Sequence, residues 1–379
     1  GRWLDGVDPA TLTSRQALAR LPVLHKAELM EMQAKNPPFG GFANPAHVNG
    51  GRIFMSPGPI WEPQGLAADP AQSARAFFAA GVRPGDIVHN AFSYHMTPGG
   101  FMLDHGARAL GCAVFPAGTG NTEMQVEAAA ALRPSVYAGT PDFLKAILDR
   151  ADEMKKDLTS FRYGVVSGGA LFPSLRAEYF ARGVRVYQCY ATAEFGVIAY
   201  ESAAEDGAPN PGLIVNENLI LEIVRPGTGD PVPEGEVGEV VVTSLNPAYP
   251  LVRVGTGDLS AILPGLSPCG RTGQRIKGWM GRADQRTKVK GMFVDPKQVA
   301  EIVARHAEVA RARLVVTRDG ARDAMALHVE PADGAAPDIA AVETSLREIT
   351  KLGGTVRLAA PGSLPNDGKV IADERDYAG

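Results

Sequence analysis

The sequence has few cysteines, and their distribution excludes two structural classes. Cys112, Cys189 and Cys269 are the only three in 379 residues, and they lie far apart. No CxxC pair or Cys/His cluster occurs, so neither a disulfide framework nor a structural zinc site is indicated. This cysteine usage fits a reducing cytoplasm, where we expect the protein to reside.

Surplus charge and long apolar runs are lacking too. Lys and Arg number 38 against 42 Asp and Glu, a formal net charge of −4, so no basic excess is available for nucleic acid. The apolar runs fall short of the roughly 20 residues that a membrane span requires. Charged residues at 21% and hydrophobic residues at 45% are ordinary globular usage, and the length predicts two to three domains.

Three common nucleotide and catalytic motifs are absent. The sequence contains no GxxxxGK, no GxGxxG and no GxSxG. A P-loop NTPase, a Rossmann dehydrogenase and an α/β-hydrolase therefore lose support.

The pattern of apolar residues predicts an α/β fold in two parts. Between residues 69 and 188, short apolar strands alternate with helices, which indicates a parallel sheet whose ligands bind at the carboxyl ends of the strands. Beyond residue 210, alternating strands separated by Pro/Gly turns predict an antiparallel, barrel-like region. From residue 281 a compact α+β unit follows. We therefore expect a large domain over 1–280 and a small C-terminal domain over 281–379.

Four short polar segments, three of which contain glycine, follow predicted strands. They are SPGP at 56–59, SGGA at 167–170, YATAE at 190–194 and GTGD at 255–258. Glycine at a strand end lets backbone N–H groups approach an anion closely, and hydroxyl groups add further donors. One such segment says little, but four of them in a predicted α/β protein point to a phosphorylated ligand.

The order of these segments resembles the adenylate-forming superfamily, and within it the phenylacetate–CoA ligase-like branch. The similarity extends over nearly the whole chain, from LPVLHKAEL at 21–29 through the stretch 81–127 to the end. It continues through VSGGAL, CYATAEFGVIAYES, PLVRVGTGDLSAILPG, GRADQRTKVKGMFVDPKQVAEIV and SLPNDGKV, in family order. The resemblance implies ATP, Mg²⁺ and CoA as cofactors or substrates, and a small C-terminal domain that is mobile.

The resemblance also implies roles for individual residues. Lys369 would bridge the substrate carboxylate and the α-phosphate, Thr192 would donate to the α-phosphate, and Glu194 would hold Mg²⁺. The implied nucleotide-binding residues are Ser167, Gly168, Gly169, Ala170, Gln188, Cys189, Tyr190, Ala191, Asp258, which would accept both ribose hydroxyls, and Arg282. The implied acyl pocket comprises Phe92, Tyr94, His95 and Gly99, while Asp284 would be the hinge and Lys290 and Gly291 would serve CoA.

The sequence departs from the family pattern at the phosphate loop. A loop rich in Ser, Thr and Gly that ends in Lys-Pro is replaced by MSPGPIWEPQG at 55–65, which has three prolines and no lysine. Proline has no N–H to donate, so only Ser56 and Gly58 remain as phosphate contacts. We therefore expect acyl-AMP to bind tightly and ATP to bind poorly, unless another cation such as Lys288 or Lys290 substitutes for the loop.

Two further departures concern the small domain and a cysteine site. The family's Arg near the start of the small domain is replaced by lysine in TKVKG, which supplies charge without a bidentate fork. Some relatives have additional cysteines near the segments that contain Ser202 and Cys269. In this chain those two residues leave no metal site.

The sequence predicts an ATP-dependent acid–thiol ligase. A carboxylic acid, expected to be an aryl acid because the resembled branch uses them, would become acyl-AMP and then pass to the CoA thiol. Two alternatives stay open: an adenylating enzyme that delivers the acyl group to an amine or a carrier-protein thiol, and a catalytically decayed protein that binds AMP or acyl groups. The expected partners are the acid, ATP and CoA, without nucleic acid or membrane, and a homodimer is one of the oligomeric states left open.

Overall fold

The computed structural model describes residues 6–169, 171–283, 285, 287–289, 292–319 and 322–375. The helices are α1 Arg15–Leu18, α2 Lys26–Lys35, α3 Pro45–Val48, α4 Ala74–Ala79, α5 Gly99–Ala109, α6 Thr122–Leu132, α7 Pro141–Met154, α8 Pro173–Ala181, α9 Pro296–Arg305 and α10 Ile339–Thr350. The strands up to residue 200 are β1 Leu24–His25, β2 Ile53–Ser56, β3 Ile60–Pro63, β4 Ile87–Asn90, β5 Ala113–Phe115, β6 Val136–Gly139, β7 Tyr163–Val166, β8 Arg185–Thr192 and β9 Gly196–Tyr200. The later strands are β10 Leu213–Val215, β11 Leu219–Val224, β12 Gly238–Ser244, β13 Val254–Ser260, β14 Ile262–Leu263, β15 Arg275–Ile276, β16 Thr287–Val289, β17 Met292–Val294, β18 Val309–Asp319, β19 Arg322–Pro331, β20 Thr355–Leu358 and β21 Ile371–Asp373.

A nine-stranded mixed sheet forms the centre of the molecule, in the order β14-β15-β10-β9-β8-β7-β6-β4-β5. Strands β5, β4, β6, β7 and β8 run parallel, as the alternation of strands and helices predicts. Helix α7 illustrates the sequence pattern behind this prediction, because Leu144, Ile147, Leu148 and Ala151 recur at helical spacing and are all buried. The predicted α/β class is confirmed, but the sheet is mixed because β8 turns back antiparallel into β9.

A second sheet has the order β1-β13-β12-β11. Strands β11, β12 and β13 pair antiparallel, as expected for the region beyond residue 210. The short strand β1 adds in parallel, with Leu24 opposite Val254. The expectation of a barrel-like region is corrected, because β1 and β11 are edge strands and the sheet is open. The N-terminal segment thus becomes part of this sheet, which the sequence pattern did not indicate.

The C-terminal residues build a third sheet with a hydrophobic core of its own. Its order is β20-β19-β18-β21, and Val299 of α9 and Val342 of α10 are buried in the same cluster as Leu314 and Leu327. The sequence pattern predicts helices over 296–307 and 339–350, and α9 and α10 occupy these positions, whereas it does not indicate β21. None of the helices in the described part of the chain is long and apolar enough to cross a membrane.

The NDGKV turn of this C-terminal unit rests on the second sheet. The Val237 N–H donates to Asn366 Oδ1 at 3.0 Å, and Asn366 Nδ2 donates to the Gly235 carbonyl at 3.2 Å. Gly368 has a φ of +71°, and a Cβ there would lie 2.7 Å from Val237 Cγ1. Glycine is therefore required both for the backbone conformation and for the close approach.

Candidate active site

A cleft of about 690 Å³ opens where β7 and β8 end, at the edge of the sheet where ligands bind in α/β proteins. Seven predicted nucleotide-binding residues line it: Ser167, Gly168, Gly169, Gln188, Cys189, Tyr190 and Ala191. The structure thus brings together the SGGA and YATAE segments, which are separated by the whole of α8. Ala170 lies outside the described residues.

Asp258 connects this cleft to the second sheet. Its Oδ2 accepts from the Tyr190 hydroxyl at 2.8 Å, and its Oδ1 accepts from Trp279 Nε1 at 3.1 Å and from Arg282 Nη1 at 2.7 Å. Asp258 is 9% exposed, whereas the Arg282 side chain is 56% exposed. The side chains of Tyr190 and Trp279 therefore orient the Asp258 carboxylate. The hydrogen bond from the exposed Arg282 is the one that a ligand most easily replaces.

Sequence reasoning placed YATAE and GTGD in turns after strands, and the structure corrects this. Thr192 is the last residue of β8, and GTGD lies inside β13, where pairing with β12 continues through an irregularity between Glu239 and Val241. Gly257 has a φ of +74°, and a Cβ there would lie 2.6 Å from Arg282 Nη2. Gly257 is therefore a strand residue whose left-handed backbone conformation favours glycine, and not a residue of a loop.

Glu201, Lys277 and Trp279 are among the cleft residues that the sequence did not single out. Glu201 accepts from Arg176 through both carboxylate oxygens at 2.8 and 2.9 Å, and its Oε2 also accepts from the Gln188 N–H at 2.7 Å. Lys277 and Trp279 line the opposite side. The position of Trp279, two residues before the GRAD motif, was the available signal, but the sequence pattern predicted a linker over 278–285.

Thr192 and Glu194 both carry oxygen atoms without hydrogen-bond partners. Thr192 Oγ1 is buried and has none within the described structure, and the same holds for Glu194 Oε2. The Glu194 side chain is 1% exposed, and Lys26 Nζ lies 2.8 Å from its Oε1 as an ion pair. An unsatisfied buried oxygen is costly, so both atoms suit a ligand that supplies the missing partner.

The SPGP segment is the tip of the β2–β3 hairpin. Ser56 is buried, and its hydroxyl donates to Glu62 Oε1 at 2.9 Å instead of facing a phosphate. Burial and the nearby Glu194 charge raise the pKa of the Glu62 carboxyl to about 8, although the Ser56 hydrogen bond and the Lys26 charge act in the opposite direction. Gly58 is closed in by Met30 and Ile60. The prediction that Ser56 is a phosphate contact is thus not supported, because its side chain is already engaged inside the hairpin.

The predicted acyl-pocket residues divide into two groups. Phe92 lies next to both Gly168 and Gly99, since a Cβ at these glycines would be 3.6 and 3.7 Å from its ring. The Tyr94 hydroxyl, in contrast, donates to Asp104 Oδ2 at 3.1 Å, and His95 is exposed beside the SPGP tip. Phe92 therefore borders the SGGA segment and Gly99 lies behind its ring, whereas the side chains of Tyr94 and His95 are engaged elsewhere.

Lys369 is exposed and does not line the 690 Å³ cleft. It borders a small cavity of about 70 Å³ between the C-terminal unit and the segments around Arg225 and Glu236. Its backbone N–H donates to Asp367 Oδ1 at 3.0 Å. Asp284, Lys290 and Gly291 lie outside the described residues, and the side chain of Lys288 is not described.

The side chains of Ser202 and Cys269 are neighbours joined by a hydrogen bond. The Cys269 sulfur lies 3.0 Å from Ser267 Oγ and 3.3 Å from Arg271 Nη1. Burial opposes ionisation, but hydrogen bonds from Ser202, Ser267 and Arg271 outweigh it and lower the pKa of the thiol to about 6. No group of three His, Cys, Asp or Glu suited to a metal ion occurs among the described residues.

The cleft lies at the strand ends of a mixed sheet, with the Asp258 carboxylate beside it and the Thr192 hydroxyl at the end of β8. These features define a nucleotide-binding α/β enzyme.

Comparison with known proteins identifies the family within this class of enzymes. Residues 74–248 match the family of AMP-binding enzymes. The phenylacetate-coenzyme A ligase of Aromatoleum evansii is 32% identical over 340 residues, covering 86% of this chain and 74% of that protein. The phenylacetate-coenzyme A ligase of Thermus thermophilus is 33% identical over 347 residues, covering 87% and 76%.

A solved structure of a CoA ligase is also similar to this chain. The crystal structure of a 2-hydroxyisobutyryl-CoA ligase in the postadenylation state is 26% identical, with a TM-score of 0.68 over 97% of this chain and 83% of that chain. The chain belongs to the adenylate-forming AMP-binding enzymes, in the phenylacetate–CoA ligase family.

Proposed function

We propose that this chain activates a carboxylic acid with ATP to give acyl-AMP and pyrophosphate, and then transfers the acyl group to the thiol of CoA. The observation that carries this proposal is the cleft beside Asp258, in which seven residues expected to bind nucleotide converge. Membership of a family of acid–CoA ligases supports both half-reactions.

The cleft suits the nucleoside part of the substrate. The Asp258 carboxylate, fixed by Tyr190 and Trp279, accepts from the ribose hydroxyls once Arg282 Nη1 gives up its contact. Burial, together with the Asp258 charge, raises the pKa of the Tyr190 hydroxyl. Tyr190 therefore stays a neutral donor at physiological pH. The unpartnered Thr192 hydroxyl donates to the α-phosphate.

Glu194 fits a divalent cation, because one of its buried oxygens has no partner among the described residues and hard cations prefer carboxylate oxygen. Mg²⁺ bound there would neutralise phosphate charge. The remaining acceleration comes from positioning and from donors aimed at developing charge, since the mechanism needs no covalent nucleophile.

Lys369 must reach the 690 Å³ cleft for adenylation, but in the described structure Lys369 lies outside this cleft. We propose that residues 281–379 form a small mobile domain that turns about the Asp284 position relative to residues 1–280. The side-chain hydrogen bonds that join the NDGKV turn to the second sheet are those of Asn366, an exposed residue, and a domain rotation would exchange them for other contacts. Lys290 and Gly291 are proposed to serve CoA after this turn.

An aryl acid is the proposed substrate class, because the curated relatives are phenylacetate-coenzyme A ligases. Phe92, packed beside Gly168 and Gly99, supplies an aromatic wall next to the nucleotide segment. The absence of a side chain at both glycines leaves room for a flat ring.

Acid-dependent exchange of radiolabelled pyrophosphate into ATP tests the first half-reaction, with a panel of aryl and aliphatic acids. Thioester formation on addition of CoA tests the second. Exchange without a CoA product, but with an amide or carrier-protein product, would favour the first alternative acceptor class. No exchange with any acid, together with retained AMP binding, would favour a decayed binding protein.

A further inference from the structure

The β2–β3 hairpin leaves the β- and γ-phosphates of ATP without their usual partners. Pro57 and Pro59 have no N–H, Ser56 donates to Glu62, and the segment contains no lysine. Besides the Mg²⁺ proposed at Glu194, a bound triphosphate would need a protein cation in place of the missing loop lysine. The structure therefore has to supply that cation from another element.

Lys26 is in the required place. Its Nζ lies 2.8 Å from Glu194 Oε1, and its side chain is 36% exposed although Glu194 is buried. It also lines a cavity of about 410 Å³ together with Gly257 of the GTGD segment and Arg282, the partner of Asp258. Lys26 thus stands between the residue proposed to hold the metal and the segment proposed to hold the ribose.

The local fold fixes Lys26 in this position. It is the first residue of α2, directly after β1, which pairs with β13 beside the GTGD segment. The His25 N–H donates to Glu28 Oε2 at 2.8 Å, which caps the helix start. The backbone is held by pairing and capping, and the ammonium at the end of the side chain keeps its freedom to change partner.

We propose that Lys26 is the phosphate-binding cation of this enzyme and replaces the missing loop lysine. It pairs with Glu194 in the free protein and passes to the β- and γ-phosphate oxygens when Mg·ATP binds. The inference rests on the proposed function. It predicts that ATP binds better than the proline-bearing hairpin alone would allow, and that AMP, which lacks those phosphates, does not use Lys26.

Calorimetric titration of Mg·ATP and of AMP against Lys26→Met tests the assignment. Loss of a charge-assisted contact should weaken Mg·ATP binding by about ten- to a hundredfold, with little change for AMP. Lys26→Arg keeps the ion pair and should retain most of the ATP affinity. Lys35→Met is the matched control, because Lys35 lies on the same helix with a 78% exposed side chain, and it should leave both affinities unchanged.

Lysine footprinting of the unmodified protein provides a measurement independent of folding defects. Acetylation of Lys26 by acetic anhydride, quantified by mass spectrometry, should slow in Mg·ATP or inorganic pyrophosphate and not in AMP, while Lys35 reacts equally throughout. Equal labelling of Lys26 in a protein that binds ATP would overturn the inference, as would equal losses of ATP and AMP binding in Lys26→Met. Failure of the unmodified protein to bind either nucleotide would instead overturn the proposed function.

Discussion

Replacing Arg253 with methionine should destabilise the protein strongly, because this side chain is a buried ionic anchor. Arg253 is 1% exposed, and its Nε donates to Glu222 Oε2 at 2.9 Å. Its guanidinium also donates to the carbonyls of Ala19 at 2.9 Å, of Leu21, and of Gly229 at 2.7 Å. It therefore fixes the chain that leads into β1 and Lys26.

The magnitude follows from what the substitution leaves behind. Glu222 is 9% exposed, its Oε1 has no partner in the described structure, and without Arg253 its Oε2 loses the one it has. Breaking a buried pair and leaving one charge uncompensated costs about 3–5 kcal/mol. The double variant Arg253→Met with Glu222→Met removes both charges and should recover most of this loss of stability. The remaining loss comes from the three backbone carbonyls that no longer receive a hydrogen bond from Arg253.

Urea unfolding followed by tryptophan fluorescence measures the free energies of unfolding of both variants. Arg225→Met is the matched control: it lies at the edge of the same sheet, is 42% exposed and faces Glu236 at 3.6 Å, so its loss should cost no more than about 1 kcal/mol. A cost below about 1 kcal/mol for Arg253→Met, or a double variant as unstable as the single one, would refute the reasoning.

Three further predictions concern the site. Lys369→Ala should slow adenylation by roughly 100-fold while leaving thioester formation from supplied acyl-AMP largely intact; equal losses in both half-reactions would indicate a structural role. Asp258→Asn should weaken AMP binding about tenfold or more, measured by calorimetry, because charge-assisted acceptors are lost. Alkylation of Cys269 by iodoacetamide should be half-maximal near pH 6, because its thiol pKa is about 6, and Ser202→Ala should shift this midpoint upward. Cys189, buried with its pKa raised to about 12, should not react over the same pH range.

Local sequence was sufficient to predict the class of fold and most of its elements. The apolar spacing of α7 and the uniformly apolar strands β6 and β7 specify buried faces within a few residues, so periodicity alone identifies them. The order of the short polar segments was enough to indicate the family and seven of the residues that line the cleft. These features depend on neighbours in the chain, which a sequence displays directly.

Tertiary structure alone decided which side chains face one another. Nothing in the spacing of Lys26, Glu62 and Glu194 indicates that they cluster, because strand β1, the β2–β3 hairpin and the β8–β9 turn are brought together only when the two large sheets pack. In the β2–β3 hairpin the Ser56 hydroxyl faces inward and donates to Glu62, because a buried carboxyl group needs a hydrogen-bond donor. Likewise, the position of Lys369 depends on how the C-terminal unit rests on Val237, a contact between segments 129 residues apart. Burial and charge pairing between distant segments are properties of the packed molecule, so they could not be deduced from local pattern.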